Sequence, residues 1–490
     1  MTSICRTIPP KGGMDLLGVA LSGGGYRASL FHLGVLARLA DSGLLRQVEA
    51  FSTVSGGSIV GAFYYHMLCE ELRKDRVLTD QDYRDLMQRV IGAFVTAVQE
   101  DLRNRALVSG VISSVIPPQI TKPLLSFMHR IFPSLNTDVV FASKLEQGLR
   151  ALMFHDTVLL DWQQPPVHPS NRKPELIMNT SILENGQTLY VSTNPDSVLW
   201  ARNAMNHGVQ ADELQQLPIA KAVAASACVP GLFDPMDIRF GDHGVHGVDG
   251  GVLDNLGGHA LELLRQSDMT MLLSDASMPM AVESYEDVDA VESFLRIQDL
   301  FMNVIRDLRM GAAGDVRIDM RCDLPGIDST VRTLAMTMRT DLNAFSEVEA
   351  YTLMYVGYRS CEEQLRRKQV KDELLAEAAA ETAWPFMTIR EYAASPTPAY
   401  LTMLDRKRDK RFAIPKPSIT QFISLAYLLL YATLFVYITI NHGVIEALWY
   451  AFCIPVLFVT CVGLLYLRRR LVKDRRRGTL AQLEQSNFRL

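Results

Sequence analysis

Three times this chain runs from an apolar, strand-like stretch straight into a glycine turn and out into a helix-like stretch. The passages are LLGVALSGGGYRASLFHL from Leu16, VEAFSTVSGGSIVGAFYY from Val48 and VHGVDGGVLDN from Val245. A strand that feeds a helix through a tight turn, and does so again after a short link, builds a parallel sheet with helices packed on it. The same pattern predicts strands at 48–54, 176–183, 189–193, 245–248 and 269–274, and helices at 59–71, 219–227, 291–310 and 347–381. Residues 72–160 break the rhythm with helical stretches and a proline-cut apolar segment, and read as an insertion. It is either a lid lying on a membrane surface or a helical cap packed on the sheet.

A second constraint lies near the C-terminus. Residues 419–440 are apolar without one charge, and 444–467 carry only Glu446. Each run is long enough to cross a bilayer as a helix, and back to back they leave no polar face for a soluble hairpin. Basic clusters flank the pair (RKRDKR at 406–411, RRRLVKDRRR at 468–477), and the loop Asn441-His442-Gly443 between them has no Lys or Arg. The positive-inside rule then predicts a two-helix hairpin with both ends in the cytoplasm. The charge divides accordingly: −15 on residues 1–405, +5 on 406–417 and +6 on 468–490, within a net −5. The expected organisation is an α/β head at 1–405, a basic linker at 406–417, two transmembrane helices within 418–467 and a basic cytoplasmic tail at 468–490. The first thirteen residues hold no apolar stretch, which argues against a secretory signal and for a cytoplasmic head. Seven scattered cysteines without a CxxC pair argue against a disulfide framework or a zinc site.

The glycine turns carry the chemistry. Gly23, Gly25 and Ala28 satisfy the spacing of a dinucleotide-binding loop, yet the second strand ends in Thr53-Val54-Ser55 instead of the acid that would hold a ribose. The same geometry presents amides at a helix N-terminus, which stabilise an oxyanion equally well. In the second turn a nucleophile needs small residues two places before and after it. Ser55, between Thr53 and Gly57, meets this better than Ser52 or Ser58, although a purely structural turn reads the same way. Asp249 sets a carboxylate before Gly250-Gly251, as a candidate base or as an ordinary Asx turn. His243, His246 and His259 lie near it in sequence, so a Ser-Asp-His triad, or a metal site of Asp242, His243 and His246, stays open.

Taken together, SGGGYRA, STVSGGS, VDGGVLDN and ASACVPGLF at 225–233 resemble the patatin-like phospholipases, over most of residues 16–275. The resemblance implies a three-layer α/β/α hydrolase head and a catalytic dyad of Ser55 and Asp249 without a histidine. It also implies an oxyanion hole from the amides around Gly23, Gly24 and Gly25. Arg27 matches the basic residue after the family's glycines, and with Gly56 it stands as an accessory position. Thr53 and Ala28 replace glycines of the pattern. The implied activity is that of a membrane-anchored phospholipase A or lysophospholipase, with membrane phospholipids as substrate and anchor. No metal, cofactor or nucleic-acid partner is expected. The alternatives are a dinucleotide-binding enzyme using the Gly23–Ala28 loop and a non-catalytic membrane scaffold.

Overall fold

The computed structural model describes residues 16–99, 141–231, 233–241, 243–265, 269–277, 290–310, 314–340, 342, 344–368 and 383–405. The apolar runs at 419–440 and 444–467 lie outside them. Among the described residues no helix is long and apolar enough to cross a membrane.

Strand β1 (Leu16–Leu21) enters helix α1 (Gly25–Asp41), and β2 (Val48–Thr53) enters α2 (Gly56–Leu72). Helices α3 (Asp80–Gln99) and α4 (Phe141–Leu149) precede β3 (Glu175–Ile182) and β4 (Thr188–Ser192). Then come α5 (Val198–His207), α6 (Ile219–Ser226), β5 (Met236–Phe240), β6 (His243–Asp249) and the single turn α7 (Gly251–Asp254). Helix α8 (Gly258–Leu264) leads to β7 (Met269–Asp275), α9 (Ala290–Met310) and β8 (Val316–Asp319). Helices α10 (Ser329–Thr337), α11 (Glu347–Arg367) and α12 (Pro398–Leu404) follow. The 347–381 helix thus runs to Arg367, and 369–382 lie outside the described residues.

The strands form one sheet in the order β5-β6-β3-β2-β1-β7-β8, with β4 also on β3. β3, β2, β1, β7 and β8 pair in parallel; β4 and β6 run antiparallel to β3, and β5 antiparallel to β6. The sheet is therefore mixed, not wholly parallel as the strand–helix rhythm predicts. Short links explain it: five residues join β3 to β4 and two join β5 to β6, and so few residues can only fold a strand back on its neighbour.

Helices cover both faces. One face carries the main core, built on α1, whose residues from Tyr26 to Asp41 are all buried. Gly34 lies so close to α11 that a side chain there would meet the Met354 carbonyl at 1.9 Å, and one at Gly357 would meet Phe31 O at 2.0 Å. The reciprocal glycines let the two helices cross nearly backbone to backbone. On the other face Leu261 of α8 packs on Ala20, Ala50, Met271 and Leu273, and Leu199 of α5 on Ile177 and Tyr190. Within the 72–160 insertion, α3 packs on α1 and α2 through a stripe including Tyr83, Leu86, Val90, Phe94 and Val98. This part of it takes the packed-cap alternative; residues 100–140 lie outside the described set.

Candidate active site

Pairing registers on β3 bring the second and third glycine turns together. β2 pairs with residues 175–178, β6 with 180–182, and β4 with 177–181. Since β4 overlaps both of the others, it must occupy the opposite edge, so β2 and β6 share one edge of β3 end to end. β2 climbs to Thr53 opposite Met178. β6 descends from beyond the sheet to Asp249 opposite Thr180. Asp249 reaches the Ser55 turn head-on, from a strand running the other way.

The loop after α6 fastens both tips. Ser55 N–H donates to the Ser226 carbonyl and hydroxyl, each at 3.1 Å, while Gly250 N–H donates to Ser226 O at 3.2 Å and Asp249 N–H to Cys228 O at 2.8 Å. Ser226 Oγ in turn donates to Asn179 O at 2.7 Å. Held this way, Ser55 adopts φ 53° and ψ −119°, a conformation that costs a non-glycine residue on the order of 1–3 kcal/mol. The Ser55 side chain lies near enough to Asp249 to favour its charged form. Asp249 is 2% exposed, and its Oδ1 accepts the Gly251 amide at 2.7 Å. Burial pushes its carboxyl up to about 6, against the pull of the Ser55 hydroxyl and the Gly251 amide, which favour the charged form.

The first glycine turn lies alongside. Gly23 does not offer its amide, which donates to the Asn255 carbonyl at 3.0 Å; this corrects the expectation that all three glycines are open donors. Among the described residues the amides of Gly24, Gly25 and Gly56 find no acceptor. Gly25 and Gly56 begin α1 and α2, where N–H groups have no intrahelical partner and the dipole favours negative charge. The two turns interlock: a side chain at Gly56 would meet Gly25 O at 2.1 Å. At Gly25 the missing side chain leaves room for the Thr340 carbonyl, 1.6 Å from where a Cβ would sit. The glycine spacing is thus spent on backbone packing, which removes the main support for a pyrophosphate site.

Arg27 has another task than a ligand-facing accessory. Its guanidinium, on a residue only 2% exposed, donates to the carbonyls of Met336 (3.0 Å), Met338 (3.2 Å) and Ala276 (3.1 Å). It ties the segment before Thr340 and the end of β7 to the glycine loop. Arg27→Met should cost about 3 kcal/mol or more in urea unfolding, because three buried carbonyls lose a charged donor. Arg27→Lys should restore little of it, since a point ammonium cannot fork to three acceptors.

His32 was not singled out by sequence, where it looks like one more residue of an apolar helix. It is fully buried. Burial lowers its pKa to about 4 despite a bond to Ser22, so the ring is neutral. Nε2–H donates to Ser22 O at 2.9 Å, and Nδ1 accepts from Ser274 Oγ at 2.8 Å. It pins the residue before Gly23 to β7. Thr53 also has its reason: Oγ1 donates to Ile177 O at 2.9 Å and accepts from Ser58 Oγ at 3.0 Å. Its methyl sits 2.7 Å from where a Gly61 side chain would be, so the glycine missing at 53 is supplied across the turn at 61. The histidines near Asp249 in sequence look elsewhere. His246 pairs with Glu184 at 2.6 Å and His259 with Glu262 at 3.4 Å, while His243 is exposed. Among the described residues no cluster could hold a metal ion; Asp242 lies outside them.

The family model for patatin-like phospholipase matches residues 19–261, which span all three turns. Residues 19–261 are a patatin-like phospholipase domain. Membership implies lipid acyl hydrolysis. No curated protein matches the chain. The chain is similar to the solved structure of VipD from Legionella pneumophila at TM-score 0.35 and 14% identity, covering 72% of this chain and 67% of that one. It is also similar to human GIVD cytosolic phospholipase A2 at TM-score 0.39 and 12% identity, covering 75% of this chain but 63% of the human one.

Proposed function

We propose that the chain is a membrane-anchored acyl hydrolase of phospholipids or lysophospholipids, working through a Ser55–Asp249 dyad. The observation that carries this reading is that strained Ser55 and the turn of Asp249 are both fastened to Ser226, beside a buried carboxyl whose pKa is raised to about 6. Ser55 Oγ attacks the ester carbonyl as its proton passes to Asp249. The oxyanion forms toward the Gly24 and Gly25 amides, with Gly56 as a further donor. Asp249 returns the proton to the departing alcohol, leaving an acyl-serine. Water then attacks that ester with Asp249 again as base, and the fatty acid is released. Anchoring by a hairpin within 418–467, with the head and both termini cytoplasmic, keeps the lipid concentration high without a tight headgroup site. The charge pattern of the two flanks supports that topology.

The deciding test is labelling of the full chain by a fluorophosphonate, mapped by peptide mass spectrometry. The adduct is expected on Ser55, much slower in Asp249→Ala. A wild-type protein that labels on another residue, or not at all, sinks the dyad. A pH profile gives a second check. Asp249 works only when ionised, so kcat/KM should rise about tenfold per unit up to about pH 6 and level off above it.

A further inference from the structure

Helix α9 carries Ile297, Leu300, Phe301, Val304 and Leu308, each between 45% and 76% exposed. At roughly 100° per residue these five fall within an arc of about 100°, one unbroken stripe. The other large hydrophobics exposed among the described residues are single positions, apart from Val198 and Met205 on α5. The opposite side of α9 is occupied. It packs on α7, the turn directly after Asp249: the Met302 methyl lies 2.8 Å from where a Gly251 side chain would be, and Arg306 is 4% exposed. One helix therefore touches the turn that holds the proposed base and offers solvent an apolar face.

We propose that this face docks α9 on the surface of a phospholipid bilayer, delivering lipid to the Ser55 turn. The inference rests on the reading of the chain as a membrane-anchored lipid hydrolase. A bilayer is the occupant the rest of the chain favours. The described chain ends at Asp405, and residues 406–418 separate it from the first apolar run. Thirteen residues reach at most about 45 Å, so a head anchored by that run is never far from lipid. An amphipathic helix in such reach lies in the interface with its apolar face among the acyl chains. A helix is only about 10 Å across, so lipid under the stripe is a short step from the turn on its other side.

The test uses the full chain reconstituted in phosphatidylcholine–phosphatidylglycerol vesicles. In Phe301→Trp, brominated lipids should quench tryptophan emission beyond the quenching of the wild type's own tryptophans. This readout needs no catalysis, so it holds even if the dyad reading fails. In Phe301→Ser/Leu308→Ser, hydrolysis of bilayer phospholipid should fall at least about tenfold while that of a soluble short-chain ester stays within about twofold. No added quenching overturns the proposal. So does a Phe301→Trp protein whose added emission is already blue-shifted in detergent and is protected there by a second copy of the chain. Equal loss on both substrates overturns it too, by making α9 a support of the site alone.

Discussion

Ser55→Ala is expected to lower fatty-acid release by roughly 10⁴-fold or more, and Asp249→Asn by roughly 10³-fold, because nucleophile and base act as one unit. The stability of the Asp249 variant should move the other way. Between the ordinary carboxyl pKa of 3.8 and about 6 the folded protein holds a proton on Asp249 that the unfolded chain has lost. Stability therefore falls across that window, by roughly 3 kcal/mol once pH exceeds the folded value. Asparagine keeps an oxygen for the Gly251 amide without burying a charge. Asp249→Asn should thus gain about 1–3 kcal/mol at pH 8 and progressively less toward pH 4, read from urea midpoints at several pH values. An active Asp249→Asn protein would mean that another group takes the proton. A variant equally stable at every pH would mean that the charge is not buried there.

Gly25→Ala should be nearly as damaging by a different route. The new methyl would overlap the Thr340 carbonyl at 1.6 Å, at a φ of 56° that alanine adopts poorly. Something in the backbone has to move, and what moves is the start of α1, which carries the Gly24 and Gly25 amides proposed as oxyanion donors. Losing one such donor costs about 10²- to 10³-fold in rate. The expected result is a fall of that size in both ester hydrolysis and fluorophosphonate labelling. Gly92→Ala is the control: it sits in α3 with nothing within 4 Å, and should leave rates unchanged and stability slightly higher. A Gly25→Ala protein labelled at the normal rate would show that the loop amides take no part.

Much of this arrangement was legible in the sequence, and what was not has physical reasons. Strand-to-helix passages at Leu16 and Val48 are local, so the parallel centre of the sheet and both turns could be read from periodicity and glycine. Ser55 could be chosen by the size of its neighbours. The direction of β6 was less visible, because its alternation, with most of its residues glycine or histidine, does not say which neighbour it pairs with. Strand β5 is five residues long and β8 four, too short to stand out from the loops around them. Roles set by distant partners were hidden altogether. Arg27 meets carbonyls some 250 to 311 residues away, and the Thr53 methyl needs Gly61 opposite it. The Gly23 amide was counted as free because nothing local shows that Asn255 takes it. The strain at Ser55 likewise comes from tertiary grip.

The end-to-end meeting of β2 and β6 on β3 also sets what kinds of genetic change the domain can absorb. Asp249 is held opposite Thr180 by the β6–β3 rungs and by its amide bond to Cys228 O, so its place beside the Ser55 turn depends on the register of β6. Deleting one residue between Gly244 and Val248 would draw it back by about 3.3 Å and turn its carboxyl to the other face. The Ser55 turn would be untouched. Point changes along β6 should be forgiven far more often than insertions or deletions, and a frame of one residue there separates a folded domain from a working one.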